Sequence, residues 1–160
     1  MPEATKEPEI TISGATEEGA TVILTLNGKE EEVVANADGR FSFSFSLRKG
    51  ENEILAKAKD LAGNESQQMA AVTVVFDNEA PKLDISDPSD GAQFYGDSQR
   101  QLAIKGTTEA GVTLTINDRW VKVEENGSFT YATTLNEGDN PFNIKAVDKA
   151  GNTTEKSLTV

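Results

Sequence analysis

The sequence predicts an all-β protein made of two tandem antiparallel β-sandwiches, residues 1–78 and 79–160, the first lacking its first strand. Three observations predict this. Apolar residues alternate at period two, and no segment shows the three–four apolar spacing of a helix. Turn residues recur every 8–12 residues or so, the spacing of a sandwich or barrel. The second half of the chain repeats the first.

The repeat is read from ordered Gly, Asn and apolar matches. Ile12, Gly14, Thr16, Glu17 and Gly19 match Ile104, Gly106, Thr108, Glu109 and Gly111. Leu24 and Asn27 match Leu114 and Asn117; Asp38-Gly39 and Phe41 match Asn126-Gly127 and Phe129. Asn52 and the run Asp60-Leu61-Ala62-Gly63-Asn64 match Asn140 and Asp148-Lys149-Ala150-Gly151-Asn152. The spacing between matched residues starts at 92, falls to 90 and ends at 88. Copy one therefore carries two small insertions, one before Leu24 and one after Asn27.

Taken in order, copy one alternates at Ile10/Ile12, Leu24/Leu26, Phe41/Phe43/Phe45 and Ile54/Ala56/Ala58, and its last strand carries Val72, Val74 and Phe76. Asn27-Gly28 is a two-residue hairpin signal, and Asp38-Gly39 and Asn126-Gly127 are further turns. Copy two alternates at Leu102/Ile104, Leu114/Ile116, Val121/Val123, Phe129/Tyr131 and Phe142/Ile144/Ala146. Its first strand holds Leu83 and Ile85, just after Pro81. Copy one has no such segment ahead of Ile12, as expected of a chain cut from a longer tandem array; a naturally six-stranded copy is the other reading. The join, Phe76-Asp77-Asn78-Glu79-Ala80-Pro81, is short and lacks Gly and Ser, so it reads as stiff.

Composition excludes several functions. The net charge is −12, with 27 acidic against 15 basic residues, and Lys and Arg do not cluster. Such a surface repels phosphate backbones and anionic lipid, so neither nucleic acid nor membrane insertion is expected. The absence of Cys and His removes thiol nucleophiles, His-based proton transfer, zinc sites and disulfides. No apolar run is long enough to cross a bilayer as a helix.

Copy two resembles the glucodextranase-B-like group of bacterial immunoglobulin-like domains. The residues that carry the likeness are Pro81 to Ile85, Pro88 to Gly91, Ile104 to Gly111, Thr113 to Asn117, Asn126 to Phe129, Leu135 to Asn140 and Asp148 to Asn152. Copy one is similar from Ile10 onward. Asp118, standing where the hairpin usually has Gly, is one departure. The resemblance implies immunoglobulin-like sandwiches, recurring in tandem on secreted enzymes, adhesins and wall-attached proteins. It implies an extracellular location, on the bacterial surface or secreted, and neighbouring domains of a longer chain as partners. The expected function is a non-catalytic stiff spacer or stalk, adhesion-related; the alternative is an accessory polysaccharide-binding module of a secreted glycoside hydrolase. No enzyme activity is expected.

Three sets of residues are candidates. Asp60, Gly63, Asn64, Asp148, Gly151 and Asn152 read as structural turns, with Asp capping, Gly at positive φ, Asn bonding the backbone and Ala packed beneath. In a sandwich, alternate loops share a pole, so Asp77, Glu79, Glu109, Glu124 and Asp148 could converge at the join. Calcium takes six to eight oxygens from such groups, and the run from Asp77 to Pro81 is loosely similar to a cadherin linker. No cofactor is required on this reading; calcium is the one cofactor it admits. Trp120, the single tryptophan, should point outward beside the hairpin, where with Tyr95 or Arg119 it could stack on a sugar; an ordinary exposed aromatic is the plain alternative. A polysaccharide or a surface protein is the expected outside partner.

Overall fold

Period-two alternation puts every second side chain on one face, and two such faces closed on each other give each half its core. The computed structural model describes residues 2–160, which separate into two units, one ending at Asn78 and one running from Glu79 to Val160. The first holds β1 (Ala4–Thr5), β2 (Glu9–Ala15), β3 (Thr21–Leu26), β4 (Lys29–Val34), β5 (Arg40–Ser46), β6 (Gly50–Lys59) and β7 (Val72–Phe76). Its sheets are β1-β7-β6-β3-β4 and β2-β5. The second holds β8 (Leu83–Asp87), β9 (Gln101–Thr108), β10 (Thr113–Ile116), β11 (Arg119–Val121), β12 (Ser128–Thr134), β13 (Pro141–Val147) and β14 (Thr153–Thr159), with a 3-10 turn at Asp97–Gln99. Its sheets are β11-β10-β13-β14 and β12-β9-β8.

The two cores differ in completeness. In the second unit Leu83, Ile104, Leu114, Ile116, Phe129, Ile144, Ala146 and others are buried together. In the first, Ile12, Val22, Leu24, Phe45, Leu47, Ile54 and Val74 are buried, but Ile10, Phe41 and Ala56 are only half-buried. The difference follows from the flank strand. β8 lies antiparallel on β9, with Leu83 opposite Thr108 and Ile85 opposite Gly106. The matching strand β2 pairs with β5 alone. The short β1 is no substitute, because it runs parallel to β7 in the other sheet. Its place is that of the stretch after β8, where Gly91 N–H donates to Thr159 O and Thr159 N–H to Asp90 Oδ1. β1 against β7 is also a parallel pair in an otherwise antiparallel fold.

Register keeps the two expected insertions but places the first after Val22 instead of before Leu24. Val22 lies opposite Val33 and Ala58, and Leu114 lies opposite Val121 and Ala146. Val22, not Leu24, therefore takes the place of Leu114. The change of spacing from 92 to 88 falls within one hairpin, whose arms β3 and β4 are longer than β10 and β11. Both hairpins turn through two residues of positive φ, Asn27 (51°) and Gly28 (82°), and Asn117 (46°) and Asp118 (62°). Asp118 therefore adopts the left-handed backbone that Gly takes in copy one, a conformation Asp and Asn tolerate better than most residues.

Candidate functional site

The Asp-x-Ala-Gly-Asn turns are built alike. Asp60 Oδ1 accepts Asn64 N–H at 2.8 Å and Oδ2 accepts Asn64 Nδ2 at 2.7 Å. Asp148 does the same with Asn152, both at 2.8 Å. Gly63 and Gly151 sit at φ of 91° and 90°, where a side chain would be strained. Hydrogen bonds from the Asn64 side chain, and then from its backbone, hold the Asp60 carboxyl below the usual carboxylate range. One detail departs from expectation: Ala62 is exposed rather than packed beneath the turn, and Ala150 is half-buried.

The loops at one pole of the second unit do come together. Thr108 N–H donates to Gly127 O, and the Gly111 and Lys149 positions are neighbours. The carboxylates in them serve local partners. Glu109 Oε1 accepts Lys82 N–H at 3.0 Å, Glu124 pairs with Lys122 at 3.0 Å, and Asp148 caps its own turn. Asp77 and Glu79 are also engaged. Among the described residues, no three acidic side chains form a group able to hold a metal ion. Glu109, Glu124 and Asp148 thus each have a partner within the second unit. Glu124 and Asp148 find their donors on their own loops, and Glu109 finds its donor in the chain entering β8.

Trp120 is 80% exposed, on β11 opposite Thr115. Arg119 precedes it, also exposed, and Tyr95 is 72% exposed in the loop between β8 and β9. The Tyr95 hydroxyl donates to Gln93 Oε1, and its backbone N–H donates to Gln99 Oε1. The sole ring–ring contact among the described residues is Phe43 with Phe45, so Trp120 and Tyr95 are not stacked.

Two features escaped sequence reasoning. Asn52 is wholly buried: Oδ1 accepts Arg48 N–H and Asn27 Nδ2, while Nδ2 donates to the Arg48 and Gly50 carbonyls. The matching Asn140 repeats the local part of this set, with Asn136 and Gly138. The second feature is a cavity of about 280 Å³ in the second unit, lined by Phe94, Arg100, Leu135, Asn136, Glu137 and Asn140 among others. Arg100 Nε donates to Leu135 O at 3.2 Å, fixing the guanidinium at its edge. Its one sequence signal was the long Gly- and aromatic-bearing stretch before β9.

Residues 2–76 and 81–160 each match the family model for glucodextranase, domain B. The chain belongs to the glucodextranase domain B family. The match covers both sandwiches, so the chain is two glucodextranase B domains in tandem. A curated relative is bacillopeptidase F of Bacillus subtilis, 31% identical over 160 residues. The alignment takes in 98% of this chain and 11% of the relative, so the chain spans about a tenth of that protein's length. Among solved structures, the fibronectin(III)-like modules of CbhA from Clostridium thermocellum align at a TM-score of 0.62. They are 16% identical, over 99% of this chain and 87% of theirs. That likeness is one of fold, and the fold is of the fibronectin- and immunoglobulin-like module type.

Proposed function

We propose that this pair of glucodextranase B domains is a non-catalytic module of a bacterial surface or secreted protein, serving as a stiff spacer between neighbouring domains. One observation carries the reading. The sharpest motif of the repeat, Asp60 with Asn64 and Asp148 with Asn152, is spent on its own turns at equivalent places in both copies. What the repeat preserves is a fold. The relative of 31% identity, in which this stretch is a small share of a long chain, supports the accessory reading. The short join between Phe76 and Leu83, with Pro81 in it, supports stiffness. Small-angle scattering of the 160-residue chain is the test. One narrow end-to-end distribution is expected, and a broad distribution like that of freely jointed domains would remove the spacer reading.

A second reading, an accessory polysaccharide-binding module, is favoured by Trp120 at 80% exposure on β11. Titrating its fluorescence with a panel of polysaccharides decides it. A saturable change that disappears in Trp120→Ala supports binding; a flat response across the panel rejects it.

A further inference from the structure

We infer that the flank of the first unit is an acceptor slot for one extended peptide strand, of the chemistry that β8 supplies in the second unit. The slot is defined by the internal repeat. In the second unit the chain at Pro81, Lys82 and Leu83 passes between Thr108 and Thr154. Thr108 Oγ1 donates to Lys82 O at 2.7 Å, and Thr154 Oγ1 donates to Pro81 O. Leu83 then enters the core, 3% exposed.

The residues matching this channel in the first unit are Thr16 and Ser66. Both line a shallow cleft of about 280 Å³, together with Val22, Phe41, Ala56 and Ala58. Val22, Phe41 and Ala58 are the counterparts of Leu114, Phe129 and Ala146, which belong to the core that buries Leu83. The cleft is therefore where the counterpart of Leu83 would insert. Burial at matched positions agrees. Phe129 and Ala146 are 3% and 0% exposed, while Phe41 and Ala58 remain half-buried.

The backbone is available too. β2 pairs with β5 only, and Thr16 N–H is taken by Gly39 O on that side. Strand alternation then turns the N–H and C=O groups of Ser13 and Ala15 toward the open side. Gly106 is crossed closely by β8: a Cβ there would lie 2.2 Å from Asp84 O and 2.5 Å from the Phe129 ring. Gly14, its counterpart, would meet only the Phe41 ring, at 2.7 Å, so the room for a crossing carbonyl is kept. Beyond the slot the strand is also interrupted. Residues 66–71 have no regular structure and are exposed, whereas the matching segment is continuous β14. Strand addition at a sheet edge, with pockets for alternate side chains, is an established mode of peptide recognition. The occupant defined here is an extended segment carrying proline, then apolar residues two apart, as in Pro81-Lys82-Leu83-Asp84-Ile85.

The test adds a synthetic peptide of residues 79–88 to the isotopically labelled 160-residue chain and follows its amides by NMR. Saturable shifts at residues 13–16 are expected, with amide exchange at Ser13 and Ala15 slowed at least tenfold. The same peptide with Leu83→Asp should leave the spectrum unchanged. The proposal is overturned if millimolar peptide shifts nothing or shifts only β9 to β14. It is equally overturned if the Leu83→Asp peptide binds as well, or if Ser13 and Ala15 become protected with chain concentration alone, which would mean that a second copy covers the edge.

Discussion

At the residue scale, the buried asparagine is the most exacting side chain in the molecule. Asn52→Ala would leave the Arg48 N–H, the Arg48 and Gly50 carbonyls and the Asn27 amide without their partner. Unsatisfied buried groups cost roughly 1–3 kcal/mol each, with water recovering part, so a loss of about 3 kcal/mol is expected in urea unfolding of the first unit. Asn140→Ala, at a half-buried site, should cost about 1 kcal/mol and act on the second unit. A second prediction concerns acid. The Asp60 carboxyl is held below its ordinary value by Asn64, so its contribution to stability is fully present above the unfolded pKa. That contribution is lost as pH falls through the lower, folded value. Carboxyl NMR should show Asp60 titrating below the ordinary aspartate range, and Asn64→Ala should bring it back toward that range.

At the element scale, the glycines of β2 and β9 should separate. Gly106→Ala would drive a methyl into the Asp84 carbonyl and the buried Phe129 ring, so it should cost at least about 3 kcal/mol. Gly14→Ala meets only Phe41, a half-buried ring beside open space, and should cost about 1–2 kcal/mol. Chemical denaturation of the two variants checks the order. Most of this architecture was legible in the sequence, because period-two alternation and turn residues are local signals. Phe41, Phe43 and Phe45 announced β5, and Asn27-Gly28 announced the hairpin of β3 and β4. The exact match of Leu24 was misread, since a Leu-Thr-Leu-Asn string slides by two residues without changing face. The acidic side chains are a different matter. Topology correctly gathers the loops of Glu109, Glu124 and Asp148, but where a carboxylate points depends on the nearest donor, such as Lys82 N–H or Lys122.

At the scale of the whole molecule, two units of one fold have unequal cores. Leu83, Phe129 and Ala146 are buried in the second, while Phe41 and Ala58 remain half-buried in the first. At roughly 1.5–3 kcal/mol for each large apolar side chain fully buried, the first unit should be the weaker by a few kcal/mol. Calorimetry should resolve two transitions, with Asn52→Ala lowering the first and Asn140→Ala the second. Because the candidate carboxylates serve local partners, exchanging 1 mM calcium for a chelator should move neither transition by more than about one degree.

The longer hairpin of the first unit has a consequence for how such repeats diverge. Counted from the Val22–Val33 and Leu114–Val121 pairs to the turn, the first hairpin is longer by one full pleat on each arm, so Val22 still faces inward opposite Val33 and Ala58. A single added residue would have turned the rest of its arm inside out. Length in this hairpin is therefore quantised, and parity acts as the proofreader: copies can grow or shrink at that tip only in steps that return every side chain to its own face.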